Sequence, residues 1–208
     1  MTRNELIAQI RRMYYGGVAA EEANLREKEV NQYINQAIAN VAKENYVDHI
    51  KLDGLENVDD AFYTTFKNFS VSKDNDTGYY YTTLPHPPLG LSRGYGIADV
   101  TFPVNTGLAK NPIPISPREL EYVDMVKTPP SKIFYWCEGD KLYFKSYINL
   151  VGKSPIVRMI SNENSDLTAE LNVPAEYIPS MINWIMTQLN VRKQMSGDLI
   201  REGVDKSQ

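Results

Sequence analysis

Residues 90–94 read Gly-Leu-Ser-Arg-Gly, which matches the G-x-S-x-G pattern of a serine nucleophile elbow. Such an elbow needs a strand before the serine and a helix after it, because the strained turn between them exposes the hydroxyl. Here a proline-rich stretch precedes Ser92, and the strand-like residues 97–100 follow it. Both histidines, His49 and His86, come before the serine, whereas that triad places its histidine after it. The pattern therefore predicts a glycine-rich turn without a catalytic serine.

Asp74, Asp76 and Gly78 invite comparison with a calcium-binding EF-hand loop. That loop requires a glycine at its sixth position and a bidentate glutamate at its twelfth. Counted from Asp74, these positions hold Tyr79 and Pro85. The mixture of aspartate, asparagine and glycine instead favours a tight turn between two strands.

The remaining reactive residues form no recognisable catalytic or metal-binding set. One cysteine and two histidines cannot furnish the usual zinc ligands, and a single cysteine cannot form an internal disulfide. Cys137 lies in an apolar stretch that is typical of a core strand. Adjacent carboxylates such as Asp59 and Asp60 point apart in either regular structure. We therefore expect no enzymatic activity, no metal and no cofactor.

The composition favours a protein that makes contacts through aromatic surface. The chain has 208 residues with 22 basic and 26 acidic side chains, and its net charge of −4 does not suit a general nucleic-acid binder. No apolar run reaches the roughly 18 residues that a membrane span needs, so we expect no membrane insertion. Tyrosine is frequent, with 14 residues against 6 phenylalanines and 2 tryptophans. A tyrosine ring combines a large apolar area with a polar tip, which suits contact surfaces.

Three helices are predicted, two at the start of the chain and one near its end. Thr2 and Glu5 have the spacing of a capping box, and Gly16-Gly17 is expected to end the first helix. Apolar residues at helical spacing predict a second helix from about residue 20 to 46 and a third from about 174 to 195.

Strand-like sequence dominates the middle of the chain. Two hairpins and two further strands are predicted, at 61–71 with 79–83, 131–137 with 141–147, 97–102, and 156–160. Nine of the 12 prolines fall between residues 84 and 130. Because proline lacks a backbone donor, these segments are predicted to be extended connections.

The order of helices, antiparallel strands and a final helix predicts an α+β fold. We divide it into a helical hairpin or arm at residues 1–50 and an antiparallel β region with long proline-rich connections at 51–172. A C-terminal helix with a polar tail follows at 173–208. These parts are expected to form one compact unit.

The tyrosines cluster on the predicted strands. Tyr79, Tyr80 and Tyr81 are consecutive, and successive strand residues point to opposite faces, so aromatic side chains must lie on both faces of this hairpin. Either both faces are covered within the chain, or one of them is a subunit interface or a platform on which sugar rings stack. Single-stranded nucleic acid would require a basic groove, and these hairpins are not strongly basic.

Five segments give the chain a familiar layout after its helical start: 84–91 (Leu-Pro-His-Pro-Pro-Leu-Gly-Leu), 96–100, 133–144, 157–159 and 198–203. In the order and residue character of these segments, the chain resembles the head-to-tail connector proteins, also called ring or adaptor proteins, of tailed bacteriophages. The similarity is greatest to those of crAss-like phages, and it spans most of the chain.

The resemblance implies a structural virion protein, without enzymatic activity, that forms a ring of typically twelve copies below the portal. It also implies contacts with the portal and with neighbouring tail or ring proteins. Assembly would take place in the host cytoplasm, and DNA would pass through the ring without specific binding.

Candidate interface residues are the apolar side chains in segments expected to lie outside the core. They are Tyr79, Tyr81, Leu89, Leu91, Ile113, Ile115, Leu199, Ile200 and Val204. The alternative function is an aromatic-rich module that binds glycans or recognises a host.

Overall fold

The computed structural model describes residues 1–16, 25–54, 57–91, 96–103, 111–125, 131–161, 166–168 and 170–205, with side chains for all of these except 53, 124–125 and 192–205. The helices in these ranges are α1 (Arg3–Tyr14), α2 (Glu27–Asp53), α3 (Leu120–Met125) and α4 (Ile178–Asp205). The strands are β1 (Thr64–Phe66), β2 (Ser72–Lys73), β3 (Tyr80–Thr83), β4 (Ile97–Thr101), β5 (Ile113–Pro114), β6 (Ile133–Glu138), β7 (Lys141–Ser146) and β8 (Ile156–Met159). The predicted α+β class is confirmed.

The chain divides into two compact units. The helical unit comprises Met1–Phe62 and Asn164–Gln208, and the β unit comprises Tyr63–Glu163. The helical unit is therefore built from both ends of the chain, and the β unit from the middle.

In the helical unit, α1, α2 and α4 contact one another through their apolar stripes. Ile10 of α1, Ile34 of α2 and Ile185 of α4 are completely buried. The predicted capping box is present at the start of α1, where the Thr2 amide donates to the Glu5 carboxylate at 2.8 Å and the Glu5 amide donates to Thr2 Oγ1 at 3.3 Å. Gly16 follows α1 with φ of +68°, a conformation that favours glycine.

A charged side chain lies inside the helical unit. Arg3 is 3% exposed, and its Nη1 donates to Asn31 Oδ1 at 2.8 Å and to Asn35 Oδ1 at 2.6 Å, both on α2. Burial lowers the pKa of the Arg3 guanidinium from its ordinary value, and the negative charge of Asp166 opposes this shift. Arg3 therefore fixes the start of α1 against α2 at the cost of removing a cation from water.

The predicted ends of α2 and α4 were wrong. Residues 25 and 26 are not helical, and α2 continues past Tyr46 to Asp53, where Gly54 with φ of +66° ends it. Residues 20–24, which were predicted to begin this helix, lie outside the described residues. The helix α4 continues through Gly197 into the predicted polar tail, because one glycine costs a helix only about 1 kcal/mol.

The β unit contains two sheets. One has the strand order β1-β8-β4 and is antiparallel. The other has the order β2-β3-β7-β6-β5, and in it only β5 and β6 are parallel among the described pairs. Side chains from both sheets, such as Val157 of β8 and Phe144 of β7, belong to one buried core.

The second predicted hairpin is confirmed, since β6 and β7 pair around residues 139 and 140. The first differs from the prediction: β1 pairs with β8, and only β2 forms the hairpin with β3. The extended chain is interrupted at Asn68, which has a φ of +69°. The hairpin turn is closed by Asp74, whose amide donates to the Tyr79 carbonyl at 2.8 Å and whose carboxylate accepts from Thr77 Oγ1 at 2.7 Å.

Leu89 and Gly96 meet at the base of the segment that contains the G-x-S-x-G pattern. The Leu89 amide donates to the Ile160 carbonyl at 3.0 Å, and the Ile160 amide donates to the Gly96 carbonyl at 2.8 Å. A Cβ atom at position 96 would overlap the Leu89 carbonyl oxygen. Glycine is therefore required at this position for close packing of the backbone.

Substitution of Arg3 tests its role in the helical unit. We expect Arg3→Ala to lower the free energy of unfolding by about 2–4 kcal/mol, because it leaves a cavity and removes the hydrogen bonds to Asn31 and Asn35. Arg12→Ala is the matched control on an exposed position of the same helix and should change stability by less than about 0.5 kcal/mol. Urea denaturation followed by circular dichroism measures both, and equal effects would contradict the assignment.

A pair of glycine substitutions tests the close approach at Leu89. Gly96→Ala should lower the free energy of unfolding by about 1–3 kcal/mol, because the methyl group must displace the backbone. Gly90→Ala adds the same methyl group where nothing lies within 4 Å, so its effect should stay below about 0.5 kcal/mol. Thermal unfolding of the two variants provides the comparison, and a Gly96→Ala protein as stable as the parent would refute the constraint.

Candidate functional site on the five-stranded sheet

Aromatic side chains lie on both faces of the five-stranded sheet. On the core face, Tyr80 of β3 and Tyr135 of β6 both pair with Phe144 of β7, and all three are buried. On the opposite face, the register places Tyr81 opposite Tyr143, and Tyr143 opposite Trp136. The predicted alternation of the tyrosines is present, and it produces a row of rings across three strands.

We call Tyr79, Tyr81, Trp136 and Tyr143 the aromatic face. The rings of Trp136 and Tyr143 are stacked, with centroids 5.4 Å apart and an interplanar angle of 12°. Tyr79 meets Trp136 edge-on at 5.2 Å, and Tyr81 lies 6.2 Å from Tyr143. Such offset and edge-on pairs add roughly 0.5–1.5 kcal/mol each beyond the area they bury. Trp136 is consequently only 5% exposed, whereas the three tyrosines around it are partly exposed.

Two lysines of β7 lie over the tyrosine rings. Lys141 Nζ is 5.3 Å from the ring centroid of Tyr81, and Lys145 Nζ is 5.9 Å from that of Tyr79. A cation over a ring face is attracted by the ring quadrupole, by about 0.5–1 kcal/mol at an exposed site. Two tyrosines of the aromatic face therefore carry lysine cations, on a chain whose net charge is −4.

The indole nitrogen at the centre of the aromatic face also has a partner. Trp136 Nε1 donates to Glu138 Oε1 at 3.0 Å. Glu138 is paired in register with Lys141 across the hairpin. The polar atoms around the tryptophan are thus held within the hairpin itself.

The other predicted interface residues occupy several places. Leu89 is buried, so it contributes little contact surface, and Leu91 is half-buried. Ile113 is exposed on β5, at the edge of the five-stranded sheet, and Ile115 beyond it is half-buried, with its amide donating to the Tyr135 carbonyl at 2.9 Å. The side chains of the last three predicted residues, Leu199, Ile200 and Val204, lie outside the described residues.

Sequence reasoning missed Trp136 as the centre of the aromatic face. The hairpin turn at residues 139 and 140 fixes the register that places Trp136 opposite Tyr143, so alternation along β6 and β7 was a usable signal. The contact of Trp136 with Tyr79 could not be predicted from this alternation, because β3 pairs with the β6–β7 hairpin only in the folded structure.

His49 and Asp59 take part in a hydrogen-bond network within the helical unit. His49 lies inside α2, and its Nε2 is 3.1 Å from Asp59 Oδ1. Asn45 Nδ2 donates to Asp59 Oδ2 at 2.7 Å and to the Tyr177 hydroxyl at 3.0 Å, while the Asp59 amide donates to Asn45 Oδ1. The network attaches the segment after α2 to α2 itself and to the turn that precedes α4.

Three further features of the sequence concern Ser92, metal-binding side chains and membrane-spanning helices. Residues 92–95, with Ser92 of the G-x-S-x-G pattern, lie outside the described residues, and the strand β4 rather than a helix follows them. Within the described residues, no group of three or more histidine, cysteine, aspartate or glutamate side chains is placed to hold a metal ion. No helix in the same residues is long and apolar enough to cross a membrane.

Comparison with known proteins identifies no family for this chain. No protein-family model matches the chain, and no curated protein matches it.

Cys137 provides a test of how the β6–β7 hairpin is packed. Burial raises the pKa of its thiol to about 11, with the charges of Asp140 and Glu138 adding to the shift. At pH 8 the thiolate fraction is then roughly two-hundredfold lower than for an ordinary cysteine with a pKa near 8.5. We expect iodoacetamide to alkylate the native protein at pH 8 about two orders of magnitude more slowly than the urea-unfolded chain.

The pH dependence is the internal control for this prediction. Because the thiolate population rises tenfold per pH unit below the pKa, alkylation of the native protein should be about a hundred times faster at pH 10 than at pH 8. Equal rates for the native and unfolded chains at pH 8 would show that the thiol is accessible and of ordinary acidity. Mass spectrometry of the alkylated protein gives both rates.

Proposed function

We propose that this protein is a subunit of the head-to-tail connector of a tailed bacteriophage of the crAss-like type. In this proposal, copies of the chain form a ring that links the portal to the tail and surrounds the DNA channel. The proposal starts from the resemblance of the sequence to connector proteins, and the exposed apolar surface of the described residues supports it.

Large apolar side chains are exposed in both units, which is the observation that carries the proposal. Leu52, at the end of α2 in the helical unit, is 82% exposed. In the β unit, Tyr122 is 68% exposed and Tyr147 is 65% exposed. A closed ring requires a heterologous contact, in which one patch of a subunit meets a different patch on its neighbour. Exposed apolar side chains on both units supply contact groups for two such dissimilar surfaces.

The edges of the five-stranded sheet favour contact through side chains over strand addition. The outermost strands, β2 and β5, are each two residues long, and β5 contains Pro114, which has no backbone donor. Short edges and proline limit pairing with another chain. A neighbouring subunit would therefore meet side chains such as Ile113, which is exposed on β5.

The net charge of the chain is consistent with a position around DNA. With 22 basic and 26 acidic residues, a ring of this protein would not neutralise many phosphates. Cationic walls release counterions and hold DNA, whereas an acidic wall lets it slide. DNA is accordingly proposed to pass through the ring without specific binding.

The alternative, a glycan-binding or host-recognition module, has weaker support from the aromatic face. Sugar rings stack on open faces of aromatic side chains, but Lys141 and Lys145 lie over one face of Tyr81 and Tyr79, respectively. A glycan array tests this alternative directly. Saccharide binding that is lost in Tyr79→Ala or Tyr81→Ala would favour it over the connector.

Assembly of the purified protein tests the connector proposal. We expect mass photometry and negative-stain microscopy to show ring-shaped particles, of about twelve subunits, either for the protein alone or after addition of the portal protein of a crAss-like phage. Ile113→Asp should reduce the ring population at least about tenfold, because it places a charge at an apolar contact.

Lys67→Asp, which changes an exposed residue of the same β unit, is the matched control and should leave assembly unchanged. A protein that stays monomeric and does not bind the portal under any condition would overturn the proposal.

A further inference from the structure

A small pocket opens beside the aromatic face. It has a volume of about 140 Å³ and lies next to Tyr79 on the five-stranded sheet. Its lining includes Phe134 of β6 and Val123 of α3 among the apolar groups, with Tyr147 just after β7. All of these residues belong to the β unit.

The size of the pocket limits what it can hold. A cavity of about 150 Å³ accommodates a benzene ring, so this pocket can take one aromatic ring or one branched aliphatic side chain. Pockets that bury drug-sized ligands are larger, at about 300–1,000 Å³. A ligand that places one side chain here must obtain the rest of its affinity from the surrounding surface. Tyr147 provides such surface, since it is largely exposed.

The charged residues that line the pocket indicate which charge the ligand should carry next to the side chain in the cavity. Its charged lining residues are Lys132 and Lys145, and among the described residues that line it there is no aspartate or glutamate. In the turn beside the pocket, the Asp74 carboxylate is oriented by hydrogen bonds from Thr77 Oγ1 and the Asp76 amide. An apolar cavity beside two lysines complements a ligand that has an apolar side chain next to a negative charge.

We propose that this pocket binds an acidic peptide segment of a partner protein, with an aromatic or branched aliphatic side chain in the cavity and an adjacent carboxylate at Lys132 and Lys145. A nucleic acid is a poor ligand for this site, because two lysines in a chain of net charge −4 are too few for a nucleic-acid groove. A small ligand that carries only a carboxylate would leave the apolar walls of the pocket uncovered. The inference concerns a peptide site of the β unit and does not depend on ring formation.

Saturation-transfer difference NMR tests the proposal on the full chain, because it observes the peptide whether the protein is monomeric or assembled. The probe is the acetylated and amidated peptide Asp-Glu-Phe-Glu-Asp. We expect saturation of its phenylalanine ring, and binding that weakens as the salt concentration rises. The peptides Asp-Glu-Ala-Glu-Asp and Lys-Lys-Phe-Lys-Lys, which lack the ring or reverse the charge, should each bind at least about tenfold more weakly.

Protein variants locate the site. Lys132→Glu reverses the charge of an exposed residue and should weaken binding of the acidic peptide at least about tenfold. Lys43→Glu makes the same change at an exposed position on α2, outside the pocket, and should leave the affinity within about twofold. Tyr147→Ala should reduce the saturation of the phenylalanine ring.

Three results would overturn the proposal. Equal binding of the acidic and basic peptides would remove the charge argument, and equal loss in Lys132→Glu and Lys43→Glu would show non-specific attraction. Self-association through the pocket, seen as sedimentation that depends on Lys132, would assign it to a second copy of the chain. A failure to form rings would leave all of these measurements unaffected, so the two proposals can fail separately.

Discussion

A β-strand places successive side chains on opposite faces, and this constraint governs the β unit because both faces of its five-stranded sheet are aromatic. Tyr80, Tyr135 and Phe144 turn inward and share the core with residues of the three-stranded sheet. Tyr81, Tyr143 and Trp136 must then turn outward. A shift of register by one residue would exchange the two sets, and the tight turn at residues 139 and 140 opposes such a shift.

The helical unit depends on contacts between distant parts of the chain. The apolar stripes of α1 and α2 are completed by α4, which begins more than 120 residues after α2 ends. A polar contact also links α2 to the residues just before α4, since Asn45 of α2 donates to the hydroxyl of Tyr177. Arg3 adds a buried cation bonded to two asparagines of α2. Such a group makes one arrangement of the helices much better than others, because a shifted helix would leave the charge without partners.

Local signals in the sequence were sufficient to predict the elements whose contacts join residues close together in the chain. The capping box at Thr2 and Glu5 and the β6–β7 hairpin both depend on residues a few positions apart, and both are present. The partner of β1 was not predictable, because its pairing with β8 spans about ninety residues and a positive φ at Asn68 separates it from the nearer hairpin. The end of α4 was also missed, since the polarity of residues 198–205 reports exposure and does not by itself stop a helix. Of the candidate site, the two tyrosines were predicted, but the central position of Trp136 arises from packing across three strands.

The lysines of β7 decide how the aromatic face can act. Without them, exposed tyrosines would be equally suited to sugars, to apolar surfaces and to other aromatic groups. With Lys141 over Tyr81 and Lys145 over Tyr79, the same rings become part of a surface that presents lysine cations on an acidic chain. In the proposed peptide site, such a surface would attract acidic segments of a partner protein. On that proposal, the lysines attract an acidic segment to the sheet, and the pocket beside Tyr79 selects among such segments, because it has room for only one large side chain.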